Sequence, residues 1–238
     1  LFISDLHLHP SRAAIITCFV EFLEQQQGRA DALYILGDLF EAWIGDDHPE
    51  PAYQPVKLAL GKCCKAGTPV YLMHGNRDFM LGKAFTSDTG CKLLTDPTRI
   101  DLYGTPTLLM HGDSLCTDDT EYQQVRARVR DPAWQQQARA LPVAKRLEIA
   151  ARARALSAQS KQGKDEYIMD VNQDEVLRVI EQHKVDLLIH GHTHRPGSHT
   201  LKIDGREVTR VVLGDWYDTG SVLLADTRGQ RLEKLDCQ

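Results

Sequence analysis

An α/β architecture, two packed and mainly mixed β-sheets flanked by helices, is predicted by three observations. Apolar runs alternate with segments of helical period early in the chain. Turn-bounded strand pairs dominate its end, and a long strandless stretch separates the two regions. Taken in order, Leu1-Phe2-Ile3 reads as a buried strand. Ile15, Ile16, Phe19, Val20, Phe22 and Leu23 then recur with helical period, and Leu33-Tyr34-Ile35-Leu36 is a second strand. Val56, Leu58, Leu60 and Cys63 suggest a less regular helix before a third strand at Val70-Tyr71-Leu72-Met73. Strand, helix, strand, helix, strand implies right-handed crossovers and a parallel sheet. After residue 90, Arg99 to Leu102 and Thr107 to Met110 flank the turn Tyr103-Gly104-Thr105-Pro106. Leu187-Leu188-Ile189 is another buried run. Leu201 to Ile203 and Val208 to Leu213 flank Asp204-Gly205, a hairpin signal, and Ser221 to Ala225 with Arg231 to Leu235 form a further pair.

Residues from about 117 to 170 do not fit this layout. They are rich in Ala, Gln, Arg and Leu, which favour helix, and read as a helical insertion within a single domain spanning 1–238. The insertion holds ten basic and eight acidic residues, a net +2 against -7 for the rest of the -5 chain. Two readings stand side by side. It is a basic, apolar-bearing lid over an acidic site, or a solvated helical hairpin whose Trp134, Leu141, Leu147 and Leu156 pack on the core. Composition alone favours the hairpin.

The net charge of -5 argues against a general nucleic-acid binder, since no broad basic excess faces a phosphate backbone. No apolar run approaches the roughly 20 residues that span a bilayer. The start at Leu1-Phe2-Ile3 is already strand, with no signal peptide visible and no initiator Met, so a few natural N-terminal residues are expected to precede it. Cys18, Cys63, Cys64, Cys91, Cys116 and Cys237 show no Cys-x-x-Cys spacing and are read as reduced cytosolic thiols. Nothing in the sequence calls for an obligate protein partner.

Five polar motifs follow the apolar runs: Asp5-Leu6-His7, Gly37-Asp38, Gly75-Asn76-Arg77-Asp78, His111-Gly112-Asp113 and Gly191-His192-Thr193-His194. Ligand sites gather at strand ends in such sheets, so the dispersed Asp, Asn and His side chains are placed to converge. Singly, each motif is more often a cap or a turn. The inventory is all oxygen and nitrogen with no cysteine, which suits hard or borderline cations such as manganese.

These motifs and their order resemble the calcineurin-like metallophosphoesterases. One departure is Arg77, where the general family carries a His. Arginine cannot donate a proton near neutral pH, but its fork grips phosphate oxygens. Longer blocks, Ala32 to Asp47, His74 to Phe79, His111 to Asp119, Ile168 to Gln173 and Ile189 to Pro196, are similar to the branch of that family that cleaves the pyrophosphate of a lipidated UDP-sugar, UDP-2,3-diacylglucosamine, in lipid A synthesis. The resemblance implies the family's sandwich of two mixed sheets with a helical lid. It implies water attack on the α-phosphorus, releasing UMP and 2,3-diacylglucosamine 1-phosphate. It implies two divalent ions, most simply Mn²⁺, one held by Asp5, His7, Asp38 and His194 and the other by Asp38, Asn76, His111 and His192. Asp38 is the shared ligand, because a carboxylate has two oxygens with which to bridge.

By the same resemblance, Asn76, Arg77, Asp119, Ser157, Lys161, Lys164 and His192 contact substrate, with Tyr122 a weaker candidate. On sequence alone Lys161 and Lys164 are equally well read as solvated lysines sharing a helix face. Arg77 and water carry the catalysis, and no covalent nucleophile is needed. Asp78 and Asp113 read as hydrogen-bonding partners of the ligands, and His9 and His190 as structural. The resemblance also favours the lid over the hairpin and implies peripheral attachment to the cytoplasmic face of a bacterial inner membrane. Two competitors remain: an enzyme for another nucleotide diphosphate or phosphodiester, and a non-catalytic binding scaffold.

Overall fold

The computed structural model describes residues 1–48, 50–161 and 168–237. One sheet contains β1 (Phe2–Ile3), β2 (Leu33–Leu36), β3 (Val70–Met73), β4 (Lys92–Leu94), β10 (Gly220–Asp226) and β11 (Gly229–Leu235), in the order β11-β10-β1-β2-β3-β4. The second contains β5 (Thr98–Leu102), β6 (Thr105–Met110), β7 (Leu187–His190), β8 (Gly197–Ile203) and β9 (Arg206–Val212), in the order β5-β6-β7-β9-β8. Both sheets are mixed, as expected. β1 to β4 run parallel and so do β6, β7 and β9, while the edge hairpins are antiparallel.

Phe2, Leu36 and Met73 from the first sheet meet Leu109, Ile189 and Val211 from the second, forming an apolar layer between the sheets. Helices α1 (Ala13–Gln26), α2 (Gln54–Lys65) and α3 (Lys83–Thr89) cover the outside of the first sheet. The predicted face of α1 is the buried one, Ile15, Ile16, Phe19, Phe22 and Leu23. In α2 the buried positions are Val56, Ala59, Leu60 and Cys63, whereas Leu58 points to solvent at 57% exposure. Helix α7 (Gln173–His183) covers the second sheet with Val176, Val179 and Ile180, its N-terminus capped by the Asn172 side chain.

Between β6 and α7 lie α4 (Thr120–Arg130), α5 (Pro132–Arg139) and α6 (Val143–Lys161). Of the segment read as a helical insertion, these three helices account for Thr120 to Lys161 apart from short breaks, while Ile168 to Asp170 are turn and bend. Of the side chains that the hairpin reading packs on the core, Leu141, Leu147 and Leu156 are 38%, 43% and 55% exposed. Trp134 is half-buried, its ring 6.1 Å from that of Phe79. Helix α6 is held by buried Arg146, whose guanidinium donates to the Ile44 carbonyl at 2.7 Å and pairs with the Asp47 carboxylate.

The expectation of six reduced thiols is corrected at two positions. Cys18 on α1 and Cys237 near the C-terminus form a disulfide. Their separation of 219 residues leaves no local spacing signal, and only the closing of β11 onto the first sheet brings them together. Cys63, Cys64, Cys91 and Cys116 are free.

Candidate metal centre

The parallel strands end on one side of the sandwich, and each polar motif begins within a few residues of such an end. The loops after β1 and β2 continue side by side, Asp5 N–H donating to Gly37 O and His7 N–H to Asp38 O at 3.1 and 2.9 Å. The two sheets are joined there by the His192 amide, which donates to Asp5 Oδ2 at 2.8 Å. Asp5, His7, Asp38, His192 and His194 all hold φ between 47° and 68°. Left-handed backbone is costly for residues with a Cβ, and its clustering at five polar positions marks a shape imposed for function.

The glycines of the motifs allow this crowding. A Cβ on Gly75 would collide with the Asp38 carboxylate, and one on Gly191 with the Asp5 carboxylate and the Ser4 hydroxyl. Asp78, read as a supporting residue, is one: its carboxylate accepts from Leu39 N–H at 2.7 Å and Gly75 N–H at 2.8 Å, fastening the Asp38 loop to the Asn76 loop.

The side chains form two adjoining groups. In the first, His7 Nε2 lies 3.2 Å from His194 Nε2, and Asp5 Oδ1 lies 3.3 Å from His194 Nε2. In the second, Asn76 Oδ1 lies 3.1 Å from His111 Nε2 and 3.0 Å from His192 Nδ1. Asp38 Oδ2 stands between them, 3.8 Å from His7 Nε2 and 3.9 Å from His111 Nε2. Outer partners orient the rings. His111 Nδ1 donates to the Leu36 carbonyl, which turns Nε2 toward the site. His7 Nδ1 faces Glu41 at 3.3 Å and His194 Nδ1 faces Asp215 at 3.4 Å.

Asp5, His7 and His194 offer ligand atoms all within 4.8 Å of one another, and so do Asp5, Asp38 and His111. Asp5 Oδ1 is buried without a hydrogen-bond partner. A buried carboxylate oxygen left bare, beside two imidazole nitrogens aimed at each other, fits a cation. The electrostatics agree. Burial raises the Asp38 carboxyl, while His111 and His7 oppose that shift. Burial likewise works against ionised Asp5, yet the His194 imidazole 3.3 Å away and the neighbouring His111 and His7 hold it well below the usual carboxylate range. Burial alone would lower His111, but the carboxylates of Asp38, Asp113 and Asp5 carry it up to about 9, whereas burial and the His111 charge press His192 down to about 3. Titrations pushed this far apart in one cluster mark a functional site.

All seven expected ligands are therefore brought together. Of the expected substrate contacts, Arg77 lies beside them. Its backbone N–H donates to Asp38 Oδ1 at 2.8 Å, Nη1 is 3.5 Å from Glu41, and Nε is buried without a hydrogen-bond partner. The Tyr122 ring lies 5.7 Å from that of His192, and its hydroxyl donates to Asp113 Oδ2. Asp119 accepts from the Tyr122 N–H as the cap of α4. Ser157 is half-buried on α6. Lys164 and the Lys161 side chain lie outside the described residues.

Glu41, Asp215, Tyr217 and Arg154 had no assigned role. Tyr217 stacks on His7 at 5.3 Å, and with Glu41, Arg154, Arg12, Ser11 and His9 it lines a 320 Å³ cleft beside the first group. Glu41 lies within the Ala32 to Asp47 block, three residues past Asp38, which is a signal the sequence carries. Asp215 and Tyr217 follow β9 and carry no motif. A larger cavity of 840 Å³ opens at the opposite end of the strands, around Leu1, Tyr34, Tyr71 and Leu102, away from these ligands.

Residues 1–196 match the family described as calcineurin-like phosphoesterase. A protein named UDP-2,3-diacylglucosamine hydrolase from Xanthomonas axonopodis pv. citri (strain 306) is 54% identical over 242 residues, covering 99% of this chain and 98% of that relative. Proteins of the same name from Xanthomonas campestris pv. campestris (strain ATCC 33913 / DSM 3586 / NCPPB 528 / LMG 568 / P 25) and Stenotrophomonas maltophilia (strain K279a) are each 53% identical with the same coverage.

Proposed function

Because the chain belongs to the calcineurin-like phosphoesterase family, we propose that it is a metal-dependent hydrolase that cleaves the pyrophosphate of UDP-2,3-diacylglucosamine into UMP and 2,3-diacylglucosamine 1-phosphate. The substrate comes from the relatives. The geometric observation that carries the chemistry is Asp38 standing between two groups of imidazoles. In this reading Asp5, His7, Asp38 and His194 hold one cation, and Asp38, Asn76, His111 and His192 the other. The all-oxygen-and-nitrogen set favours Mn²⁺. Two such ions lower the pKa of water and offset charge on a phosphoryl group.

The chain's own residues then divide the work. Asn76 contributes a neutral amide oxygen, which limits repulsion of an anionic substrate. Arg77 turns its fork toward the phosphates and stabilises charge on the transferring group. Asp78 and Glu41 hold the Asp38 loop and the His7 ring in place. The reading needs no covalent nucleophile, and Cys116, next to the His111 motif, is buried with its thiol pushed up to about 12 by burial. Helices α4 to α6 form a cap of the single domain. Its exposed Leu141, Leu147, Ile149 and Leu156 suit acyl chains and, with its basic residues, the surface of an anionic membrane. No helix among the described residues is long and apolar enough to cross a membrane. Peripheral attachment to the cytoplasmic face of the inner membrane is part of this reading.

Purified protein stripped of metal, reloaded with Mn²⁺ and given UDP-glucosamine with and without its two acyl chains tests the assignment. UMP release from the acylated substrate alone supports it. Equal turnover of both would favour an enzyme for soluble nucleotide sugars.

A further inference from the structure

Helix α4 presents a puzzle of its own. None of its residues is buried, and Val125 on it is 59% exposed, so apolar burial does not hold it against the body. Polar contacts do. Tyr122, Arg126 and Arg130 stand one helical turn apart on one face. Their polar atoms lie 3.1, 2.8 and 3.7 Å from a single oxygen, Oδ2 of the fully buried Asp113. Arg130 Nη2 also donates to the carbonyls of His74 at 3.3 Å and Gly75 at 3.0 Å. Gln123 donates to the Asp113 and Cys116 carbonyls at 2.8 and 3.0 Å. Arg126 reaches 4.0 Å from buried Asp96 as well.

These contacts land beside two ligands that come from different sheets. Asp113 follows His111 across Gly112, which has φ 114°, and Gly75 directly precedes Asn76. Glycine joints leave the neighbouring backbone free unless something external restrains it. The restraints from Gln123, Arg126 and Arg130 fall next to His111 and Asn76, and none of these reaches Asp5, His7 or His194.

We propose that Arg126 and Arg130 are positioning residues that brace α4 across both sheets and set the geometry of the second cation site, built on Asn76 and His111. The proposal rests on the two-cation reading above. The first cation site shares Asp38, which packs on Gly75, but its other ligands Asp5, His7 and His194 lie away from these contacts, so it depends on them far less. Helix α4 is thereby a strut of the metal centre, distinct from the apolar part of the cap.

The test is Mn²⁺ titration of metal-free protein, with bound ions counted by calorimetry and their spin coupling read by electron paramagnetic resonance. Wild type should bind two ions with an exchange-coupled signal. Arg126→Ala and Arg130→Ala should weaken the second ion by about 10- to 100-fold, leave the first unchanged, and show an isolated-ion spectrum at intermediate Mn²⁺. Arg128→Ala, on the solvent side of the same helix, should behave as wild type. Arg130→Lys keeps the charge and the fold but not the fork, and should fall between; it decides the matter if the alanine variant does not fold. Folded variants that bind both ions as wild type does, or lose both equally, would overturn the brace alone. A wild type that binds fewer than two ions would overturn the underlying metal reading, and the brace with it.

Discussion

The strand-end cluster and the outer cap, α5 with α6, are built by opposite rules. In the cluster nearly every side chain is polar, buried and held by a named partner. Asp5, Asp38 and His111 are at most 1% exposed, and the surrounding glycines leave no room for a methyl group. On the cap large apolar side chains face outward, Leu147 at 43% and Leu156 at 55% exposure, and the buried group that fastens it is the charged Arg146. Polar groups inside and apolar groups outside each cost free energy unless a ligand completes them. In the proposed reading cations complete the first, and a lipid suits the second. That reading puts chemistry and substrate choice in separate regions, so a change in one should leave the other's readout in place.

The largest expected effect is at the shared ligand. Asp38→Ala should lower turnover by at least on the order of 10³-fold, measured as UMP release, because it weakens both cation sites at once. Gly75→Ala should approach that loss, about 10²-fold or more, although it removes no functional group. The new Cβ meets the Asp38 carboxylate, and bound metal should fall in parallel. A Gly75→Ala enzyme with full metal content and rate would show that the cluster is less crowded than described.

Arg77→Lys should cost about 10- to 100-fold in kcat/KM, since charge is kept and the fork is lost. Rates equal to wild type for Arg77→Ala would remove Arg77 from the site. On the cap, replacing Leu147, Ile149 and Leu156 together with Ser should leave folding stability within about 0.5 kcal/mol per site, as these side chains are exposed. Each methylene that contacts an acyl chain contributes roughly 0.8 kcal/mol, so turnover of diacylated substrate should fall while hydrolysis of a small diphosphate and metal content stay put. Equal loss on both substrates would dissolve the separation between the regions. The smallest effect is on membrane attachment. Flotation with anionic vesicles should weaken as salt is raised, each basic residue near the surface giving about 1 kcal/mol. Indifference to lipid charge and salt would leave the cap with substrate alone.

The two regions also differ in how much of them the sequence discloses. Asp5, Asp38, Asn76, His111 and His192 each sit just past an apolar run, and a parallel sheet sends such ends to one side, so the convergence of the seven candidate ligands was legible. Glu41, Asp215 and Tyr217 were not, because they act by leaning on a ligand ring from loops whose path depends on the closed fold. The disulfide between Cys18 and Cys237 escaped for the same reason. Helix α3, strand β4 and helix α7 went unread. Lys92–Leu94 is too short for a period, and the amphipathic Gln173–His183 follows directly on the strandless insertion, with no break in composition to mark it. In the insertion helical composition was plain, but which face of α4 turns toward Asp113 follows from tertiary contacts alone.

The most direct test of the account is hydrolysis of UDP-2,3-diacylglucosamine by metal-free and Mn²⁺-loaded protein in heavy-oxygen water, with both products weighed by mass spectrometry. The account predicts no turnover without metal and, with Mn²⁺, one heavy oxygen in UMP and none in the lipid phosphate. Full turnover by metal-free protein, or label in the 2,3-diacylglucosamine 1-phosphate, would contradict it.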